Sequence, residues 1–253
     1  MSGIEESAED SLLRNMYRRA RWELREALGR YSPGLPVLAK NAKWAPNLVR
    51  PDSTICIEGY PRSGNTFAVA AFLMMQDGRP HVARHTHLAG QVLRALEYKV
   101  PVVILIRPPV DAVCSLLVRS PHLSASQIVR SYLNFYSRLL PRRDEFVVSE
   151  FSEVTKRFGD AIDRANQKFG TDFGRFDGSP ESVERCFLMV EEMDREDCKS
   201  EKVTETHVGR PSEVRNQLKE VAMARLETVA LRAKLEEAER LYHVFTGDGV
   251  RRT

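Results

Sequence analysis

Apolar and polar residues follow one another along this chain in blocks that predict strands alternating with helices. Two continuous apolar runs, "TICIEG" at 54–59 and "PVVILI" at 101–106, are typical of strands buried in a parallel sheet. Shorter strand-like segments lie at 79–87 and 145–151. The segments between them have helical spacing: 65–76, 88–98, 107–120, 124–140 and 152–169. We therefore predict an α/β fold in which helices cover both faces of a parallel sheet.

An amphipathic helix is predicted before this alternation begins, and "YSPGLP" at 31–36 ends it. Its apolar positions are Leu12, Leu13, Met16, Tyr17, Ala20, Leu24 and Leu28, and the other face is rich in arginine. Most surface helices pack such a stripe on their own domain, which is the interpretation we favour. The alternative is peripheral contact with a membrane surface.

The second half of the chain has weaker patterns. A turn-rich break at 170–182 precedes a helix at 181–196 and a polar loop at 197–211. A long charged helix is predicted at 212–245, either solvated and partly detached or used for docking. We therefore divide the chain into three parts: an N-terminal helix and linker packed on the core at 1–50, an α/β domain at 51–215 and a C-terminal helical extension at 216–253.

Composition excludes several classes of protein. The chain of 253 residues has a formal net charge of +3, which is no signature of nucleic-acid binding. No apolar run approaches the roughly 18 residues that span a bilayer. The acidic start is not a secretory signal, and Cys56, Cys114, Cys186 and Cys198 are too scattered for a disulfide framework. We expect a cytoplasmic protein.

The loop after the first strand, "GYPRSGNT" at 59–66, carries the clearest chemical signal. Its spacing is that of the phosphate-binding loop G-x-x-x-x-G-K-[ST], but Asn65 occupies the lysine position. Backbone amides at the start of a helix still favour an anion there. Arg62 supplies a positive charge, and without the lysine a tight site for a nucleoside triphosphate with Mg²⁺ is disfavoured.

Three ordered motifs resemble the sulfotransferases that use 3′-phosphoadenosine 5′-phosphosulfate (PAPS). They are "YPRSGNTF" at 60–67, "HTHLA" at 85–89 and "LIRPPVDAVCSLL" at 105–117. The resemblance is good over the first half of residues 54–215 and poor over the second. It implies a P-loop-NTPase-like fold and transfer of a sulfuryl group from PAPS to a hydroxyl acceptor, with no metal.

The resemblance also implies a role for each matching residue. His87 would be the general base, and Arg62 would stabilise the phosphate oxygen that leaves sulfur. Arg107 and Ser115 would hold the 3′-phosphate of the donor. The remaining donor contacts implied are Ser63, Gly64, Asn65, Thr66, Gly209 and Arg210. The acceptor would be a carbohydrate, a lipid or a small molecule, and we expect its pocket within 120–145 and 170–211.

Several residues depart from the family pattern. His85 stands where the family has a lysine, Phe151 stands where it has a tyrosine, and Ala89 replaces a proline. One cation near the transferred group is therefore lost or depends on pH, and one hydrogen bond is missing.

Three other functions stay open. His81, His85 and His87 have a spacing that can bind zinc, although no third ligand stands out. A small-molecule kinase or nucleotide-binding protein with a degenerate phosphate loop is a second candidate. It would need an acidic residue for Mg²⁺, but "VVILIR" ends in Arg107. A non-catalytic scaffold with a sulfotransferase-like fold is the third.

Overall fold

A four-stranded parallel sheet forms the centre of the protein. The structure, a computed structural model, describes residues 8–40, 45–198, 213–226 and 228–247. The strands are β1 Ile55–Gly59, β2 Val82–Arg84, β3 Val102–Ile106 and β4 Val147–Glu150. Their order across the sheet is β2-β1-β3-β4, and each neighbouring pair is parallel. This architecture confirms the predicted α/β fold.

Helices connect the strands and extend the chain at both ends. Their bounds are α1 Ala8–Gly29, α2 Leu35–Ala39, α3 Asn65–Leu73, α4 Ala89–Glu97, α5 Pro109–Arg119, α6 Ala125–Leu139, α7 Phe151–Phe169, α8 Pro180–Cys198, α9 Glu213–Ala224 and α10 Val229–Thr246. Short 3₁₀ turns lie at Ser32–Gly34, Ala45–Asn47 and Leu140–Glu145.

The core lies in two layers because successive side chains of a strand point to opposite faces of the sheet. Cys56, Ile104 and Ile106 face a cluster that includes side chains of α4, α5, α6 and α10. Ile57 and Leu105 face a second cluster, which includes α3, α7 and α8. The central strands β1 and β3 are buried along their whole length, which explains why they are almost continuously apolar.

The strand order reverses between β1 and β3. From β1 the chain moves outward to β2, then returns to form β3 on the other side of β1. In open parallel sheets, ligands bind at such a point, outside the carboxyl ends of the strands. The loops that follow β1 and β3 contain Arg62 and Arg107, so the fold brings the two predicted cationic groups to this edge.

The N-terminal helix presents its apolar stripe to solvent. Five apolar side chains predicted to cover the domain are exposed: Leu12, Leu13, Met16, Tyr17 and Leu24. The opposite face contacts the domain through polar groups. Arg19 donates to the His122 carbonyl, and Gln127 donates to Glu23 at 2.8 Å. The stripe itself therefore does not pack on the domain; hydrogen bonds, the Trp22 side chain and the close approach of Gly29 to Leu88 attach α1.

The C-terminal segment forms two helices instead of the single long helix predicted. Residues 225–228 separate α9 from α10, and α10 packs against α6. Ala238 and Phe245 are fully buried, and the Phe245 ring lies 5.1 Å from that of Tyr136. A detached, solvated α10 is excluded by this packing.

Neither membrane spans nor disulfides occur among the described residues. No helix there is long and apolar enough to cross a bilayer. Cys56, Cys114 and Cys186 are buried, and none of them forms a disulfide.

Candidate functional site

The loop between β1 and α3 has the shape of an anion-binding turn. Gly64 has a φ of 88° and precedes the first residue of α3. Arg62 has a φ of 72°, a left-handed conformation that non-glycine residues adopt at a cost. The first N–H groups of α3 have no partner within the helix, and they open at the edge where the strand order reverses.

Side chains in this loop alternate between inward and outward positions. Ser63 and Asn65 are buried, whereas Arg62 and Thr66 are partly exposed. The Asn65 amide donates to the Tyr60 carbonyl at 3.1 Å, and the Ser63 N–H donates to the same carbonyl at 3.2 Å. Asn65 therefore braces the loop from inside. In this geometry Ser63 and Asn65 could reach an anion only through their backbone.

Two buried tyrosine hydroxyls, those of Tyr60 and Tyr136, join helix α6 to the loop between β1 and α3. The Tyr60 hydroxyl donates to the Ile128 carbonyl at 2.8 Å. The Tyr136 hydroxyl donates to the Leu105 carbonyl at 2.8 Å and accepts from the Tyr60 N–H at 3.3 Å. One phenol thus joins the end of β1 to the end of β3, and it keeps the two loops at a fixed separation.

Three of the predicted donor contacts come together across these loops. Arg62 Nε donates to the Ser115 hydroxyl at 3.0 Å, and Arg107 Nη1 donates to the Arg62 carbonyl at 3.1 Å. The Arg107 guanidinium also lies 3.9 Å from the Asp111 carboxylate. Two guanidinium groups and a hydroxyl therefore share one small region, which suits a ligand with more than one anionic group.

Phe151 forms a platform for Arg107. The guanidinium carbon of Arg107 lies 4.1 Å from the centroid of the Phe151 ring. A cation over an aromatic face is stabilised by the ring. The N–H groups at the edge of the guanidinium stay available for hydrogen bonds to a ligand. The face of the Phe151 ring thus orients Arg107.

The loop after β2 places His87 beside the end of β1. His85 and His87 have φ values of 56° and 53°, so both lie in the left-handed region. Each such residue costs on the order of 1–3 kcal/mol and persists only where its surroundings hold it. The restraint comes from Glu58, which is fully buried in β1.

The Glu58 carboxylate accepts hydrogen bonds from the loop after β2 and from α4. Its carboxylate accepts from the Thr86 N–H at 2.7 Å, the Thr86 hydroxyl at 2.7 Å, the His87 N–H at 3.1 Å and the Gln91 amide at 3.3 Å. Burial raises the pKa of Glu58, and these donors oppose the rise. We did not single out Glu58 from the sequence, although an acidic residue within an apolar strand was a visible signal.

The protonation of the His87 ring follows from its contacts. Nδ1 lies 2.8 Å from the Gly59 carbonyl. A carbonyl can only accept, so Nδ1 carries the proton and Nε2 of the neutral ring holds a lone pair. Burial, together with His85 and the cations Arg25 and Arg62, lowers the pKa of His87 to about 3, against a smaller rise from the Gly59 bond. The ring is therefore a neutral base at neutral pH.

The three histidines do not come together in the way that a zinc site requires. His81 bonds the Ser53 hydroxyl at 2.9 Å and the Pro46 carbonyl at 3.0 Å, away from the other two histidines. The His85 and His87 rings are 6.1 Å apart between centroids. Within the ranges that the structure describes, no group of three or more His, Cys, Asp or Glu residues could hold a metal ion.

A small cleft opens beside His87. It is lined by Glu26, Gly29 and Arg30 of α1, His87, Leu88 and Ala89, and Asn134 and Phe135 of α6. Part of the expected acceptor region, 120–145, contributes to it. Residues 170–198 do not, since side chains such as Phe173 and Phe176 pack against α3. Gly209 and Arg210 lie outside the described residues.

Comparison with known proteins yields several structural likenesses. The crystal structure of mouse sulfotransferase SULT7A1 complexed with PAP is similar to this chain, with a TM-score of 0.41 and 11% identity. The likeness covers 75% of this chain and 90% of that one. No protein-family model matches the chain, and no curated protein matches it. A likeness of this size says nothing about chemistry, which must be inferred from the side chains of this chain.

Proposed function

We propose that this protein is a sulfotransferase that moves a sulfuryl group from PAPS to a hydroxyl acceptor. The observation that carries the proposal is the grouping of Arg62, Ser115 and Arg107 at the ends of β1 and β3. A neutral imidazole, that of His87, lies at the end of the same strand β1. Anion-binding groups beside a neutral base are what transfer to a hydroxyl group requires.

The donor would be held through its two phosphate positions. The N–H groups at the start of α3 and the Thr66 hydroxyl would bind the 5′-phosphate, with Ser63, Gly64 and Asn65 contributing backbone only. Arg107 and Ser115 would bind the 3′-phosphate, and the Phe151 ring would keep the Arg107 fork in place. Gly209 and Arg210 remain predicted contacts.

His87 and Arg62 would act on opposite sides of the transferred group. His87 Nε2 takes the proton of the acceptor hydroxyl as that oxygen bonds to sulfur. The bond between sulfur and the 5′-phosphate oxygen breaks, and its electron pair stays on the oxygen. Arg62 stabilises the negative charge there by hydrogen bonding. The donor's own negative charge would raise the low pKa of His87 and make it a stronger base.

Calorimetric titration with 3′-phosphoadenosine 5′-phosphate is expected to show micromolar binding. AMP, which lacks the 3′-phosphate, should bind at least about tenfold more weakly, because the bonds of Arg107 and Ser115 are lost. Mg²⁺ should have no effect on either. Arg107→Ala should lower the affinity by about tenfold or more, whereas Arg79→Ala, at an exposed loop position, should leave it unchanged.

Other results would favour the alternatives. Binding of ATP that requires Mg²⁺ would indicate a kinase or another nucleotide-binding protein with a degenerate phosphate loop. Absence of any nucleotide binding would favour the scaffold.

The exposed stripe of α1 supports an additional, peripheral partner, an anionic membrane surface. Leu13, Met16 and Tyr17 are each about two-thirds exposed. Residues 12–22 include four arginines and no acidic residue. Apolar side chains beside arginines fit the boundary between acyl chains and anionic headgroups.

Vesicles of phosphatidylserine and phosphatidylcholine should therefore sediment the protein, and less of it at high salt. Replacing both Met16 and Tyr17 with glutamate should weaken this binding by about tenfold or more, because two apolar contacts become repulsive. Leu188→Glu changes an exposed apolar residue of α8 and serves as the control. Equal sedimentation of all three proteins would refute membrane contact through α1.

A further inference from the structure

The peptide unit between Thr86 and His87 is held by side chains at both of its polar groups. Its carbonyl accepts a hydrogen bond from Arg25 of α1, and its N–H donates to the Glu58 carboxylate at 3.1 Å. Glu58 also accepts from the Thr86 N–H and the Thr86 hydroxyl, each at 2.7 Å. A peptide unit is planar, so bonds at its carbonyl and at its N–H together restrain ψ of Thr86 and φ of His87.

These bonds come from opposite charges that are themselves withdrawn from water. Glu58 is fully buried, and only 22% of the Arg25 side chain is exposed. Burial lowers the pKa of Arg25, whereas attraction to Glu26 and to Glu58 opposes the fall. Hydrogen bonds to charged groups are shorter and stronger than those between neutral groups. The peptide therefore lies between a cation and an anion that each need hydrogen-bond partners there.

Helix α1 presents Arg25 from a fixed position because its end packs tightly on α4. A Cβ on Gly90 would lie 2.6 Å from the Tyr31 carbonyl oxygen and 2.7 Å from the Gly29 carbonyl oxygen, so the two backbones are in direct contact. Arg25 precedes Gly29 by about one helical turn. The contact with α4 therefore also sets the distance of the Arg25 guanidinium from the loop after β2.

The restrained backbone decides where the His87 ring lies. A φ of 53° is unfavourable for a histidine, so the backbone leaves this region when nothing holds it. In the held conformation Nδ1 lies 2.8 Å from the Gly59 carbonyl, which fixes the tautomer and the direction of Nε2. A change at the peptide therefore reaches the proton-accepting nitrogen through a single residue.

We propose that Arg25 and Glu58 act as a positioning pair, which holds the Thr86–His87 peptide and so fixes the nitrogen that accepts the proton. Neither side chain needs to touch the substrate, because each acts through the backbone of His87. The N-terminal helix is thereby part of the site that performs the reaction. The inference rests on the proposed function for the role of His87 as the base, but the conformation of the ring can be measured without any reaction.

Ring ¹⁵N shifts of the free protein at pH 8 test the pair directly. The wild type should show one tautomer of His87, with the proton on Nδ1. Arg25→Met keeps an apolar side chain without a donor, and Glu58→Gln keeps one acceptor without the charge. Each should give a mixture of both tautomers, because the bond from Nδ1 to the strand is no longer held. Arg232→Met and Glu237→Gln, at exposed positions of α10, are the matched controls and should keep the single tautomer.

Turnover of labelled PAPS, with 4-nitrophenol as the acceptor, gives a second readout. Each single variant should lower kcat by about 10- to 100-fold, because displacing a catalytic group by about 1 Å has effects of this size. The KM for PAPS should change less than about threefold, since no donor contact is removed. The double variant should be within about threefold of the slower single variant, because both residues hold one peptide and their effects do not add.

The outcomes distinguish the positioning pair from the proposed function. If the wild type neither binds 3′-phosphoadenosine 5′-phosphate nor turns over PAPS, but both variants lose the single tautomer, the positioning pair stands and the sulfotransferase falls. A single tautomer with the proton on Nδ1 in both variants would overturn the pair, and so would losses of kcat that multiply in the double variant. If circular dichroism shows that Glu58→Gln is unfolded, Arg25→Met alone decides through its tautomer.

Discussion

His87→Ala is expected to lower kcat for sulfuryl transfer by about 100-fold or more, with little change in affinity for the donor product. General-base catalysis by a positioned side chain contributes typically about 10²–10⁴-fold. The His87 ring is held through Nδ1 at 2.8 Å from the Gly59 carbonyl, and this bond directs Nε2 away from the strand. Alanine removes the base but none of the donor contacts at Arg62, Ser115 or Arg107.

The measurement is kcat by turnover of labelled PAPS, with binding of 3′-phosphoadenosine 5′-phosphate measured in parallel. His243→Ala, at an exposed position of α10, is the matched control and should keep full activity. Near-full activity of His87→Ala would show that another group is the base. Weaker nucleotide binding together with lost activity would indicate that His87 acts through the structure of the loop.

The protonation state of His87 gives a second readout from the same proteins. Because the folded pKa lies well below the usual 6.5, the ring should stay neutral from about pH 8 to about pH 5, with the proton on Nδ1. Ring ¹⁵N shifts report this directly. The unfolded chain takes up the proton first as pH falls, so the stability contributed by the neutral ring is present above the unfolded pKa. It is lost as pH falls through 6.5 toward 3.

The strands and the loop could be predicted because their signals are local. Buried parallel strands need continuous apolar runs, and "ICIEG" and "PVVILI" have turn residues directly after them. The approach of Arg62 and Arg107 to each other could also be predicted from the sequence, since the carboxyl ends of parallel strands meet at one edge of the sheet. The sequence did not reveal that Asn65 turns inward to bond Tyr60, because that depends on the conformation of a five-residue turn.

The part of the site around Glu58 escaped prediction because its contacts are distant in sequence. Thr86, His87 and Gln91 follow Glu58 by 28, 29 and 33 residues. A local pattern shows one charge within a strand, but not the donors that satisfy it. The left-handed backbone of His85 and His87 is equally invisible, since the loop around it is held by the bonds of Thr86 and His87 to that carboxylate.

Errors at both ends of the chain have one physical cause. An amphipathic stripe indicates which face of a helix is apolar, not which face meets the domain. In α1 the face that meets the domain carries Arg19, Glu23 and Trp22, and most of the stripe is left in solvent. In α10 the buried side chains include Ala238, Tyr242 and Phe245, so a helix that looked mainly charged still packs one face on the domain.

Arg62→Ala and Arg62→Gly are expected to lower kcat equally, on the order of 100- to 1,000-fold, because each removes the charge that stabilises the leaving phosphate. They should differ in stability. At a φ of 72° alanine keeps the left-handed strain, whereas glycine adopts this conformation without it. The glycine variant should therefore be more stable than the alanine variant by about 1 kcal/mol, or about 2–4 °C in Tm. Both lose the bond to Ser115, so that loss cancels in the comparison.

Lys99 offers a matched pair outside the site, because it is exposed and has a φ of 58°. Lys99→Gly should exceed Lys99→Ala in Tm by a similar amount, and both should keep full activity. Thermal unfolding and kcat of the four variants then separate the backbone at Arg62 from its guanidinium. If the glycine variant of Arg62 were as active as wild type, the leaving oxygen would need another cation. If its Tm failed to exceed that of the alanine variant while the Lys99 pair showed the gain, the left-handed turn at Arg62 would be absent from the free protein. The loop would then acquire its anion-binding shape only when the donor binds.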